Sequence, residues 1–166
     1  GNDQFMLWHT WFHDVFSQGG FNIVIGNPPY VEAKKLKYIA STRKDIYEVY
    51  SGTADLSIYF NELGLNLLAD NGVLSFITTN KFFNTGYGEK VRKQLSSQNI
   101  NILLNFEQVE VFKDILVSSV IINISKAERK RNNNFIYEKF YKLNCNEFKH
   151  EFTIRQSNFG TYSQDY

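Results

Sequence analysis

The residues best placed to do chemistry are four in a row, Asn27-Pro28-Pro29-Tyr30, which contain both prolines of this 166-residue chain. They follow an apolar stretch, Phe21 to Gly26, that reads as a strand. Each proline fixes its own backbone angle and restricts the residue before it, so Asn27 and Pro28 are both held extended. The Asn27 side-chain oxygen and the Pro28 carbonyl can then face one point in space. Two converging acceptors suit a planar substrate that carries an N–H₂ group, and Tyr30 adds a flat face for it to stack on. The plainer reading is a turn that closes a strand, since Asn and Pro are ordinary turn residues. The position favours the first reading, because open α/β sheets bind ligands outside the carboxyl ends of their strands.

Other candidates are weaker. His9 and His13 have the four-residue spacing of two helical metal ligands. But Thr10 stands where a zinc protease would have its glutamate, and no third ligand is evident. Packing and exposure account for the pair, and no metal is expected. Cys145 is the one cysteine. It excludes an internal disulfide, fits a reducing compartment, and reads as structural. Asn80 and Lys81 follow the second strand and so share its carboxyl-end rim with Asn27. Lys81 could meet a phosphate or stand solvated. The basic run Lys126 to Arg131 reads as a solvated turn, with phosphate contact as the alternative.

The elements that must position these residues alternate. Asp3 to Phe16 reads as an aromatic amphipathic helix ended by Gly19 and Gly20. In the Phe21–Gly26 strand, Ile23-Val24-Ile25 is continuously apolar, which predicts burial on both faces. Val31 to Thr53 is mixed, carries several lysines and tyrosines, and reads as a long loop. Ala54 to Ala69 is the clearest helix, with Leu56, Tyr59, Phe60, Leu63 and Leu67 at helical spacing, Asp55 in its first turn, and Gly72 placed for a left-handed cap. Strands are expected at Val73–Thr78, Asn101–Phe106, Ser119–Ile124 and Phe135–Tyr141, and a shorter helix at Tyr87–Ser96. The tail from Asn144 is weakly patterned. Strands alternating with helices predict a parallel sheet, in which one strand runs antiparallel because no helix separates the fourth from the third.

Composition bounds the rest. With 43% apolar and 16% aromatic residues the chain can bury a core, and two prolines argue against disorder. A formal net charge of +1 gives no global basic field, so any nucleic-acid contact must be local. No apolar run is long enough to span a membrane, and no signal-peptide pattern opens the chain.

"IGNPPY" resembles the catalytic motif of the amino-methyltransferases that act on adenine in DNA. The resemblance extends along Tyr50 to Leu95 ("YSGTADLSIYF…KVRKQL") and Phe106 to Ile124 ("FEQVEVFKDILVSSVIINI"), and covers about Phe5 to Ser125. It is to restriction-modification enzymes, especially those fused to nucleases, and it implies a bacterial, cytoplasmic protein. The implied fold is α/β: the C-terminal half of a Rossmann-like S-adenosylmethionine-dependent methyltransferase sheet. The implied partner is double-stranded DNA with a flipped adenine, since the amine cannot be reached in the stack. Asn27 and Pro28 would accept hydrogen bonds from that amine, Tyr30 and Phe112 would face the base from two sides, and Phe60 matches a position in the cofactor's adenine pocket. Phe60 reads equally well as core packing. The implied cofactor is S-adenosylmethionine.

One departure from the family pattern matters. The glycine-rich cofactor loop lies N-terminal to this motif in the family, whereas only 26 residues precede Asn27, and "FSQGGF" has neither the spacing nor a preceding strand. The chain is therefore expected to be a middle piece of a longer protein. Residues 1–143 would form a partial catalytic domain without the main cofactor-binding half, and 144–166 the run-in to a target-recognition region ("FTIRQSNFG"). Alone it should be inactive, and the first strand should be an exposed edge open to self-association. Two alternatives stay open. Enzymes that methylate a glutamine side chain of translation release factors share the Asn-Pro-Pro-Tyr motif, and a non-catalytic interaction module could retain the fold.

Overall fold

The computed structural model describes residues 7–31, 46–51, 54–107, 109, 111, 118–128, 130, 132–141 and 149–159. The elements in order are α1 (Trp8–Trp11), α2 (His13–Ser17), β1 (Phe21–Gly26), α3 (Leu56–Leu67), β2 (Leu68–Thr79), a 3₁₀ turn (Asn80–Phe83), α4 (Gly88–Ser97), β3 (Asn99–Asn105), β4 (Ser119–Ser125), β5 (Asn134–Phe140), β6 (Lys149–Arg155) and a last 3₁₀ turn (Gln156–Asn158).

The six strands form one sheet in the order β1-β2-β4-β3-β5-β6. β1 pairs with β2, and β3 with β5, in parallel. β4 runs antiparallel to both β2 and β3. Four strands thus share one direction. The expected antiparallel strand is β4, and the tail adds a second, β6, beside β5. The carboxyl ends of β1, β2, β3 and β5 therefore open on one rim, together with the start of β4.

The core lies on one face of the sheet. Leu74, Phe76, Val120, Ile122, Ile124, Leu103, Phe135 and Tyr137 pack with Ile58 and Leu65 of α3 and Val91 and Leu95 of α4. Gly64 lets α3 approach this closely: a Cβ there would stand 2.6 Å from Leu74 Cδ1 and 3.0 Å from Phe76 Cζ. Asp55 starts α3 by accepting a hydrogen bond from the Ser57 amide at 3.1 Å, which satisfies one of the free N–H groups of a helix start.

Several local expectations need correction. The N-terminal helix is broken at Phe12, where Trp8, Phe12 and Phe16 gather around Phe21 with ring centroids 6.2, 5.4 and 5.6 Å away. The left-handed residue after α3 is Asn71 (φ 63°), not Gly72; Gly72 is needed for space, since a Cβ would lie 2.9 Å from both the Ala69 and Phe21 carbonyls. β1 is not buried on both faces: Ile23 is 68% and Ile25 80% exposed. The cause is topological. β1 is an edge strand, and α3 covers only the face that carries Val24 and Gly26.

Gln156, 0% exposed, ties the last turn to the core. Its Nε2 donates to the Ser96 carbonyl at 2.9 Å and to that of Gln98, and its Oε1 accepts from the Ile100 amide at 3.0 Å and from Asn133. Replacing it with Ala strands several buried polar groups, at about 1–3 kcal/mol for each one left unpaired. Gln156→Ala should therefore lower the urea midpoint by an amount equivalent to at least about 2 kcal/mol at unchanged slope, read by circular dichroism.

Candidate active site

The corner Asn27–Tyr30 stands at the carboxyl end of β1, one residue past the Gly26–Phe76 pair of the β1–β2 ladder. Asn27 and Pro29 are exposed, Pro28 is buried and Tyr30 is half-buried. A cavity of about 250 Å³ opens beside it, lined by Gly26, Asn27, Pro28 and Pro29 on one side and by Phe60 and Gly64 of α3 on the other. Phe60 packs against the core and also lines this cavity. The cavity's lining is mainly apolar, with Asn27 among it, which suits a largely apolar or aromatic ligand. Trp8 also lines the cavity; its place in a short aromatic helix carried no signal of that.

Tyr30 is held by its hydroxyl, which donates to the Ile77 carbonyl of β2 at 3.3 Å. Burial raises its pKa, and a hydrogen bond with the Ser119 side chain partly offsets that rise. The ring thus stands at a fixed place on the rim. Asn80, 8% exposed, is on the same rim: its amide bonds the Ser118 carbonyl at 3.0 Å. Lys81 is exposed there, with its amide capped by Thr79 Oγ1 at 3.3 Å. Arg92, 5% exposed, holds this turn from beneath, donating to the carbonyls of Phe82, Phe83 and Thr85. Phe112 and Cys145 lie outside the described residues.

The chain that returns after the corner is anchored by carboxylates. Glu62, 3% exposed, accepts from the amides of Glu48 and Val49, both at 3.0 Å. Asp55 accepts from the Tyr87 hydroxyl at 3.2 Å, and Tyr59 donates to the Ser51 carbonyl. Glu62 was not singled out in sequence, because a buried carboxylate that binds backbone amides has no short motif, and Asp55 was noted only for its place in the first turn of the helix. The other candidates do not join the corner. His9 stacks on Phe16 at 4.0 Å, and His13 is exposed beside Asp14. Lys126 sits at the opposite rim and donates to the Leu68 carbonyl at 2.6 Å, which places the start of the basic run far from Asn27.

With this geometry in place, the similarities to known proteins are specific. The family described as "Eco57I restriction-modification methylase" matches residues 1–112. The chain belongs to that family. Type II methyltransferase M.BstVI of Geobacillus stearothermophilus is 28% identical over 127 residues, 75% of this chain and 22% of that protein. The chain thus spans about a fifth of that relative. Its fold is that of S-adenosylmethionine-dependent methyltransferases. A Listeria monocytogenes protein described as one of class I superimposes with a TM-score of 0.58 at 19% identity, over 78% of this chain and 39% of its own. The Type IIL restriction-modification enzyme MmeI, solved in complex with DNA, superimposes with a TM-score of 0.62 at 16% identity, over 90% of this chain and 20% of its own. The Eco57I-family chain thus carries a six-stranded sheet with the Asn-Pro-Pro-Tyr corner at the carboxyl end of its edge strand β1.

Tyr87 gives a pH signature. Burial, and then the charge of Asp55, push its pKa from 10.0 up to about 12. The folded state therefore keeps this proton longer than the unfolded chain. The stabilisation is intact below about pH 10 and is lost as the pH rises towards about 12. Urea midpoints measured across that window should fall in the parent and fall less steeply in Tyr87→Phe. Tyr30, Tyr59 and Tyr137 are also raised by burial, so some slope remains.

Proposed function

We propose that this chain supplies the catalytic half-site of an adenine-specific DNA methyltransferase of a restriction-modification system. The observation that carries the reading is an exposed Asn27 on the lining of a cavity, followed in the same corner by a half-buried, tethered Tyr30, in a chain of this family. Adenine extruded from the duplex would lay its 6-amino group between the Asn27 side-chain oxygen and the Pro28 carbonyl, with Tyr30 against its face. Accepting a hydrogen bond from each amine N–H draws the nitrogen lone pair out of ring conjugation and aims it at the incoming methyl carbon; the methylated nitrogen then sheds one of its two protons to solvent. S-adenosylmethionine, when bound, supplies that methyl group, and Phe60 is the residue here that would hold part of it. The protein's share is positioning and fixed dipoles.

Phe112 is proposed as the second face of the base clamp. Described residues on either side of it in sequence support this: the Phe106 amide bonds the Ser119 carbonyl at 2.9 Å, and Ser119 also bonds Tyr30. Asn80 and Lys81, on the same rim, are proposed to face DNA. Residues up to 143 are read as the partial catalytic domain and those from 144 as the approach to a target-recognition region, with β6 as the strand that joins them. A glutamine amide presents the same planar N–H₂ group, so methylation of protein glutamine is the competing substrate; the similarity to restriction-modification enzymes favours adenine.

In the complete enzyme, Asn27→Ala should lower methyl transfer about a hundredfold or more, the usual cost of one preorganised polar group. Transfer is read with labelled cofactor on duplex DNA, and DNA binding, read by fluorescence anisotropy, should hardly change. A variant near the parent rate would remove Asn27 from the chemistry. The 166-residue chain alone should show no transfer and no micromolar heat of cofactor binding by calorimetry. Strong binding would mean that the cofactor site is complete without further residues. Sedimentation of the same sample tests pairing through the free edge of β1.

A further inference from the structure

The start of β4 is a junction. Ser119 is 0% exposed and stands opposite Thr79 at the end of the β2–β4 ladder. Its carbonyl accepts the Phe106 amide at 2.9 Å, where β3 ends, and the carbonyl before it, of Ser118, accepts the Asn80 amide at 3.0 Å. Its side chain reaches Tyr30, whose own proton goes to the Ile77 carbonyl at 3.3 Å. The remaining bond must then run from the Ser119 hydroxyl to the Tyr30 oxygen. One buried serine thus touches the ends of β2 and β3 and the corner after β1.

We infer that Ser119 is a positioning residue for Tyr30: its ladder-fixed hydroxyl, together with the Ile77 carbonyl, sets the plane of the ring that faces the substrate base. The inference rests on the reading of Asn27–Tyr30 as the amine site, and it adds a residue that does not touch substrate. The geometry requires such a device. A tyrosine ring carried by a loop residue can rotate about two side-chain bonds, and a stacking face is useful only in one plane. Holding the phenol oxygen fixes the first of these bonds. The oxygen lies on the axis of the second, and it is the directions of its two partners that set the plane, because a conjugated phenol donates and accepts in the plane of its ring. The competing account is a small residue that merely fills a strand end, and that account predicts no dependence on Tyr30.

The test is a double-mutant cycle in the complete enzyme, with Tyr30→Phe, Ser119→Ala, their combination, and Ser119→Thr, which keeps the hydroxyl. Two signals are read: methyl transfer, and fluorescence of a 2-aminopurine at the target position, which brightens on extrusion and is quenched by stacking. Each single variant should slow transfer by about 2- to 10-fold, the range of one net hydrogen bond, and weaken the quenching. The double variant should be no worse than the more impaired single, and Ser119→Thr should restore both signals. Multiplying effects, or a Ser119→Ala loss that Thr does not rescue, would overturn the inference. If Ser119→Ala does not fold, Tyr30→Phe removes the same bond from the half-exposed side, and parent-like transfer and quenching there would also overturn it. Tyr30→Ala separates the two levels. No effect of Tyr30→Ala removes Tyr30 from the site altogether, whereas a loss there with a silent Tyr30→Phe rejects only the role of Ser119.

Discussion

The Asn27–Tyr30 corner hangs on one parallel strand pair. Among the described residues β1 has a single neighbour, β2, and the register Val24–Leu74, Ile25–Ser75, Gly26–Phe76 decides where Asn27 emerges. A slip of one residue would turn Val24 away from α3 and swing the corner off the cavity. The close approach of α3 at Gly64 and the contact of Gly26 with the Phe76 ring, where a Cβ would lie 3.2 Å away, both enforce that register from the covered face. The Tyr30 hydroxyl enforces it again from the rim by reaching Ile77, one residue beyond the last ladder pair.

Around this pair, buried polar groups replace what a loop backbone lacks. Glu62 gives two amides of the returning chain their acceptors, Arg92 gives three carbonyls of the rim turn their donor, and Gln156 joins α4, β3 and the last turn. Each is nearly or fully buried, so its bonds are made where water does not compete and leaving them unmade is expensive. The turn Asn80–Phe83 beside the corner and the backbone at Glu48 and Val49 thereby gain the partners that no strand gives them, and Gln156 does the same at the opposite rim.

Much of this was legible in the sequence, and for physical reasons. Phe21–Gly26 shows as a strand because apolar β-branched residues end at a proline pair, and Leu56–Leu67 as a helix because its apolar spacing is helical. Asn27–Tyr30 stood out because two consecutive prolines leave little conformational choice. The misses have equally specific causes. Ile23 and Ile25 looked buried because an apolar run says nothing about which neighbours are present. β6 was missed because one of the three residues that alternate with its polar face, His150, is itself polar, so the apolar alternation is only Phe152 and Ile154 long. Gly72 was chosen for the left-handed position by residue type, where Asn71, which also tolerates it, holds that place. Asp55 drew notice only as a helix-start charge, not as the acceptor for Tyr87, and Ser119 only as the first residue of a strand. Their roles depend on partners tens of residues away.

The edge position of β1 has a dynamic consequence. A strand bonded on one side opens at a lower free-energy cost than β4, which is bonded on both, so amide exchange should be faster in β1 than in β4. The Asn27 corner therefore sits at the softer end of the sheet. A strand that paired with the free side of β1 would stiffen the corner. The entropy of ordering it would then be lost in that pairing rather than in the binding of a ligand at the corner, so ligand affinity would rise without any new contact.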